Sequence, residues 1–208
     1  MATIGLISLV TNQRISNTRA LKSNLAYSMQ YIEFLEKELS ELRLTSVLYV
    51  MIVKTYVIIG MSVLEGLFSN IIKSRGWWKM DDLESVGVIT ANEKNFSGNK
   101  FVVRTELLQK TTPYYTQKNL DDFIKILSKH HDALSVDHLV YPALGRLRSL
   151  RNRIHLQMNS TETDHDYNAF NYMVKREMGR ILYEILTLLA SGEKGHSGSG
   201  EKGQLVVG

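Results

Sequence analysis

Apolar residues recur at steps of three and four from Leu21 onward: Leu21, Leu25, Met29, Ile32, Leu35, Leu39 and Leu42, with Glu33, Glu36, Lys37, Glu38 and Glu41 largely between them. That period predicts an amphipathic helix with one buried stripe, opening at Asn17. The stripe is near-heptad, but it runs through too few heptads to favour a coiled coil over bundle packing. A second helix is predicted from a cap at Thr45 or Ser46 to about Ser74, apolar nearly all round as befits the centre of a bundle. Gly76 is expected to end it, with Trp77 and Trp78 plugging the end of the core.

Ser46 to Phe68 is also long enough to cross a bilayer. Lys54 and Glu65 interrupt it, and the apolar runs on either side of Lys54 are too short to span separately. Charges within a membrane are costly, so a buried central helix is the simpler account and no membrane association is expected.

Residues 79–118 read differently. Val86 to Thr90 and Phe101 to Thr105 are β-branched runs separated by a polar, Gly-containing segment, the pattern of a small hairpin. A helical reading of 101–110 stands beside it. Asn119 then caps a helix from Leu120 to Ala133, and another begins near Val136 or at Pro142 and carries on through His155. The last helix is expected from Tyr167 to Ala190, with Phe170, Met173, Val174, Met178, Ile181, Ile185 and Leu189 facing inward. From Ser191 the composition collapses to SGEKGHSGSGEKGQ, a flexible tail with nothing to bury. The expected fold class is all-α: a bundle of about five helices with a hairpin or loop excursion at 79–118, one domain over 1–190 and a tail at 191–208.

Composition agrees with a globular chain, at 44% hydrophobic and 22% charged residues. The 208 residues suffice for one core, and a second sizeable domain is not expected. Cysteine is absent, which excludes disulfides and thiolate metal sites and makes a reducing compartment an easy home. Met1 to Val10 is mildly apolar but lacks a positive leader and is short for a secretory signal, so the expected location is cytoplasmic. The net charge of +4 says little by itself. Its distribution says more: Arg146, Arg148, Arg151 and Arg153 fall within eight positions, and Lys175, Arg176 and Arg180 follow near the end.

On a helix turning about 100° per residue, Leu147, Leu150 and Ile154 share one sector that should face the core. Arg148, Arg151 and His155 fall in an adjacent sector about 60° wide, with Asn152 at its border. Arg146 and Arg153 point toward solvent and, with Arg176, are the expected outer contacts to RNA. Such a stripe suits phosphodiester cleavage in RNA. Histidine exchanges protons near neutral pH, and the arginine fork matches phosphate oxygens and stabilises charge building on the phosphorane. The 2′-hydroxyl is an internal nucleophile, so no metal or other cofactor is needed, and no convincing metal-ligand spacing is visible. His130, His131 and His138 lack the i, i+4 pairing of helical zinc sites and read as surface histidines. One imidazole per chain is short of the base and acid that transesterification requires, so a two-fold homodimer is expected.

The Arg151-Asn152-Arg153-Ile154-His155 stretch, an Arg-Asn-x-x-His pattern on a long helix of a small bundle, resembles the HEPN superfamily. That family's mark is an arginine, often followed by a polar residue, with a histidine after four to six intervening residues. Arg151 has the preferred Asn152 beside it but only three residues before His155, while Arg148 has six but is followed by Ser149. Either arginine fills the family role. The resemblance covers the helical pattern of roughly 17–190, and its specific part is 148–155. It implies a metal-independent, dimeric endoribonuclease, of a kind that includes toxins of toxin–antitoxin and phage-defence systems with an antitoxin or defence protein as partner. It also admits a non-catalytic module that binds RNA or a protein. The resemblance further allows an acidic residue on the central helix to orient the motif arginine, and Glu65 is that candidate beside the plainer reading of an ordinary salt bridge. Tyr114, Tyr115, Trp77 and Trp78 are candidates for stacking on bases, although core plugs and loop anchors are their commoner fate.

Overall fold

A computed structural model of the chain describes residues 19–133, 136–154 and 166–191. These fall in two compact units, a helical one formed before residue 75 and after residue 118, and a second one over 75–118.

In the helical unit, α1 (Arg19–Glu41) buries Leu25, Met29, Ile32 and Leu35, the middle of the predicted stripe. Leu42 lies beyond the helix and is exposed. Helix α2 (Ser46–Ser74) spans the predicted range, and full burial begins at Val53, after a start on which Val47, Leu48 and Met51 are exposed. It is the described helix long and apolar enough to cross a membrane. In this fold it is the central element, against which every other helix of the unit packs. Its all-round apolarity is thereby explained, since each side meets a neighbour. Lys54 is nonetheless buried, with its ammonium 5.6 Å from the centre of the Phe170 ring.

Helix α3 (Leu120–Lys129) starts with a reciprocal capping box: the Asn119 side chain accepts from the Asp122 N–H and the Asp122 carboxylate accepts from the Asn119 N–H. It ends four residues before the expected Ala133, where a 3-10 turn over His131–Ala133 follows. Helix α4 (Val140–Arg151) begins between the two predicted starts and buries Val140, Tyr141, Ala143, Leu144 and Leu147. It does not continue as an α-helix to His155, because Asn152–Ile154 tighten into a 3-10 turn. The last predicted helix is broken. Asp166–Ala169 form the single turn α5, and Asn171 then caps α6 (Tyr172–Ser191) by accepting from the N–H groups of Met173 and Val174 at 2.9 and 3.2 Å. Phe170, Met178, Ile181 and Ile185 are buried as predicted, whereas Met173 is 64% exposed because the break lies just before it. The predicted tail from 192 onward lies outside the described residues.

The second unit overturns the all-α class: among the described residues five longer helices are joined by two antiparallel strand pairs, a mixed α/β content. Strand β1 (Asp81–Thr90) pairs with β4 (Arg104–Tyr114), and β2 (Lys94–Phe96) with β3 (Asn99–Phe101). The inner pair closes on Ser97 and Gly98, with φ of +51° and +78°, the two positive values that a tight hairpin turn demands. The helical reading of 101–110 is therefore wrong; β-branched residues and cross-strand pairing prevail there. Trp78 and Tyr115 meet at the base of the ribbon with ring centres 5.4 Å apart. Gly76, at φ +70°, takes the left-handed conformation expected where a helix stops.

Candidate functional site

Within α4 the wheel holds, and its edges meet different neighbours. Arg148 and Arg146 are two residues apart, hence about 200° apart around the axis. Arg148 Nη1 reaches Asp121 Oδ1 of α3 at 3.1 Å, while Arg146 pairs with Glu177 of α6. Arg151, on the last turn of α4, sends Nη2 to Glu65 Oε2 of α2 at 2.8 Å. Both partners are about three-quarters covered. Leu147 is fully buried beside them, so a guanidinium row does run along the margin of the core face.

Each arginine retains donors. The fork presents five N–H groups in one plane, and the pairing of Arg151 with Glu65 engages one nitrogen. Arg148 Nε is buried and lacks a hydrogen-bond acceptor among the described residues. Asp121 also receives Lys125 Nζ at 2.7 Å. That hydrogen bond, then the charges of Arg148 and Lys125, hold the Asp121 carboxyl below the ordinary carboxylate range. The same contact raises the Lys125 ammonium above its ordinary value.

The remaining predicted residues are dispersed. Asn152 is exposed and caps α4, its backbone N–H bonded to the carbonyls of Arg148 and Leu150. Beyond Arg151 the 100° step no longer applies, and Arg153, expected in solvent, is half-buried. Arg176 is exposed on α6. His155 lies outside the described residues. Among the described residues no three His, Asp or Glu side chains gather in a way that would hold a metal ion. His131 and His138 instead meet with ring centres 4.0 Å apart and planes tilted by 40°, and His131 Nε2 reaches Asp132 at 2.8 Å.

Two groups escaped the sequence reading. Asp121 looks like an acidic residue of a first helical turn, favourable to the helix dipole, and nothing local marks it as the partner of an arginine far along the chain. The other is a polar cluster between α1, α2 and α6. Tyr56 Oη donates to Glu36 Oε1 at 2.9 Å, and Lys175 Nζ lies 3.5 Å from the same oxygen and 5.6 Å from the centre of the Tyr56 ring. Burial, followed by the Glu36 charge and hydrogen bond, pushes the Tyr56 phenol far above its ordinary range, so it stays protonated. Gly179 makes the room: a Cβ there would stand 3.0 Å from Tyr56 Oη. A glycine inside a predicted helix is the one signal that pointed to close packing. Compared with family profiles, curated proteins and solved structures, the chain matches none.

Proposed function

We propose that the chain is a metal-independent endoribonuclease of HEPN type, acting as a homodimer. The observation that carries this reading is the 2.8 Å pairing of Arg151 with Glu65. The pair joins one of the two candidate motif arginines to the carboxylate that the resemblance allows for orienting it, on a helix 86 positions earlier in the chain. A carboxylate behind a guanidinium fixes its plane and leaves the outer N–H groups for phosphate oxygens. Arg148, 60° away on the same helix edge, adds a second positive charge.

In the proposed reaction the 2′-hydroxyl attacks the adjacent phosphorus and expels the 5′-oxygen, leaving a 2′,3′-cyclic phosphate. His155 removes the 2′-proton, and His155 of the partner subunit protonates the leaving oxygen. Arg151 and Arg148 stabilise the charge that builds on the phosphoryl oxygens. Asn152 hydrogen-bonds the phosphate, and Arg146, Arg153 and Arg176 hold flanking phosphates. Such an enzyme, free in the cytoplasm, fits a toxin or defence role restrained by a partner protein. The test is incubation of purified protein with mixed RNA in EDTA, beside His155→Ala and Arg151→Ala. Cleavage that persists in the variants, or that is lost in EDTA, defeats the reading.

A second reading has its own support. Arg148, Arg151 and Arg146 each face a carboxylate, which lowers the charge free for phosphate and suits a non-catalytic module binding RNA or a protein. It predicts salt-sensitive RNA retention without cleavage.

A further inference from the structure

We propose that β4 is the seam along which two copies of this chain join, edge to edge and antiparallel. This proposal stands on the β-ribbon alone and does not depend on the nuclease reading. Among the described residues the ribbon is two-stranded, so no described strand pairs with either outer edge. Nearly every residue of β1 and β4 is exposed, among them Val86, Val88, Ile89, Leu107 and Leu108, each 46–58% exposed. A two-stranded ribbon is marginal in water, and a long uncovered edge with apolar side chains templates further pairing. The two edges are not equivalent. An extra residue at Val86 bulges β1 in mid-strand, whereas the irregularity that falls on β4, between Lys110 and Tyr114, lies at its end and leaves Arg104 to Lys110 in regular register. Bulges blunt an edge, which leaves β4 as the side open to a partner.

Charge identifies that partner as a second copy. Within β4, Glu106 and Lys110 are exposed, and neither has an ion-pair partner among the described residues. Antiparallel pairing of β4 with itself about Leu108 sets Glu106 opposite the partner's Lys110 on both sides of the two-fold axis, with Leu108 against its own copy. All three lie on one face of the strand, because alternate residues do. Shifting the centre to Leu107 puts Arg104 opposite Lys110, two like charges. Centring on Thr105 pairs Arg104 with Glu106 but carries the seam beyond the start of β4. Register is thus set by charge at Leu108.

The test uses the full chain, which has no native cysteine. In a symmetric antiparallel seam the Leu108 Cα atoms lie about 4.5–5.5 Å apart, within disulfide reach. Leu108→Cys should give a covalent dimer under mild oxidation, and Thr105→Cys should not. By sedimentation, Glu106→Lys should weaken dimerisation roughly tenfold as two attractive pairs become repulsive, and adding Lys110→Glu should restore it. The proposal is overturned by a wild-type chain that stays monomeric at tens of micromolar, by equal cross-linking at both positions, or by a dimer indifferent to Glu106→Lys. A strand from another protein bound to this edge of a monomeric chain overturns it equally. A monomeric chain would also remove the dimer that the nuclease reading requires, whereas the cross-linking and charge-swap readouts report on the seam alone and separate from the outcome of the cleavage assay.

Discussion

Arg151 of α4 and Glu65 of α2 face each other at 2.8 Å, each about three-quarters covered. A pair so placed contributes little to stability, about 0–1 kcal/mol, yet it determines where a guanidinium points. Glu65→Gln keeps the shape and removes the charge. It should leave the melting temperature within a few degrees of wild type, while the proposed nuclease reading expects the rate of RNA cleavage to fall by at least about tenfold. Arg151→Lys should fare no better, because an ammonium cannot present the planar fork. Thermal melts beside cleavage time courses check this, and loss of stability without loss of rate would make the pair merely structural.

Asp121 links Arg148 to Lys125, and its carboxyl is held below the ordinary value of 3.8 chiefly by the Lys125 hydrogen bond. A depressed acid stabilises the fold above its unfolded value and loses that contribution as pH falls through the folded one. Lys125, raised above 10.5, behaves oppositely: its contribution is complete below 10.5 and is lost as pH rises through the raised value. Stability from this pair should therefore be flat between about pH 5 and 9 and decline at both ends. In Asp121→Asn the extra acid-side decline below pH 4 should disappear, as melts across pH would show.

How far these features were legible depends on the range of the interaction behind each. The bounds of α2, the stripe on α1 and the Asn119 cap follow from residues within a turn or two, and all three were read directly. Where the chain makes long-range pairs, local pattern misled. The extra residue at Val86 breaks the period-two alternation of β1, so a ten-residue strand showed as a five-residue run. Asn171 competes for the helix backbone and caps a new helix inside what periodicity presents as one, which turns Met173 outward. At the site, Glu65 was found because a carboxylate on an apolar helix is conspicuous. Asp121 was not, because among polar neighbours it has a sufficient local role.

The capping box at α3 gives a plain stability prediction. Asn119→Ala removes the side-chain acceptor of the Asp122 N–H and should cost about 1 kcal/mol. Asp122→Asn keeps an acceptor for the Asn119 N–H and should cost less. Because Asp121 is a neighbour on the same first turn, the Asn119 variant should also loosen the hold on Arg148. Denaturant titration gives the first effect, and, on the proposed RNA-binding reading, a fall in RNA affinity larger than in a variant of equal stability elsewhere gives the second.

The Glu36–Tyr56–Lys175 cluster makes a sharper prediction through Gly179. In isolation Gly179→Ala should favour α6, since glycine costs a helix interior roughly 1 kcal/mol relative to alanine. Here the added Cβ meets Tyr56 Oη at 3.0 Å, so the phenol must shift from its 2.9 Å bond to Glu36. Gly179→Ala should therefore destabilise by about 1–2 kcal/mol, the worth of a hydrogen bond to a charged acceptor less the helical gain. Tyr56→Phe removes the obstructing oxygen and that bond, and should cost about 1.5–3 kcal/mol alone. In the double variant the alanine no longer meets the hydroxyl, so adding Gly179→Ala to Tyr56→Phe should stabilise by up to about 1 kcal/mol. Alkaline pH supplies an independent check: a phenol held above its ordinary value of 10 stabilises fully below pH 10 and loses that contribution as pH rises further. Tyr56→Phe should flatten the melting profile above pH 10. Additive effects of the two substitutions in the double-mutant cycle would mean that Gly179 does not make room for the Tyr56 hydroxyl.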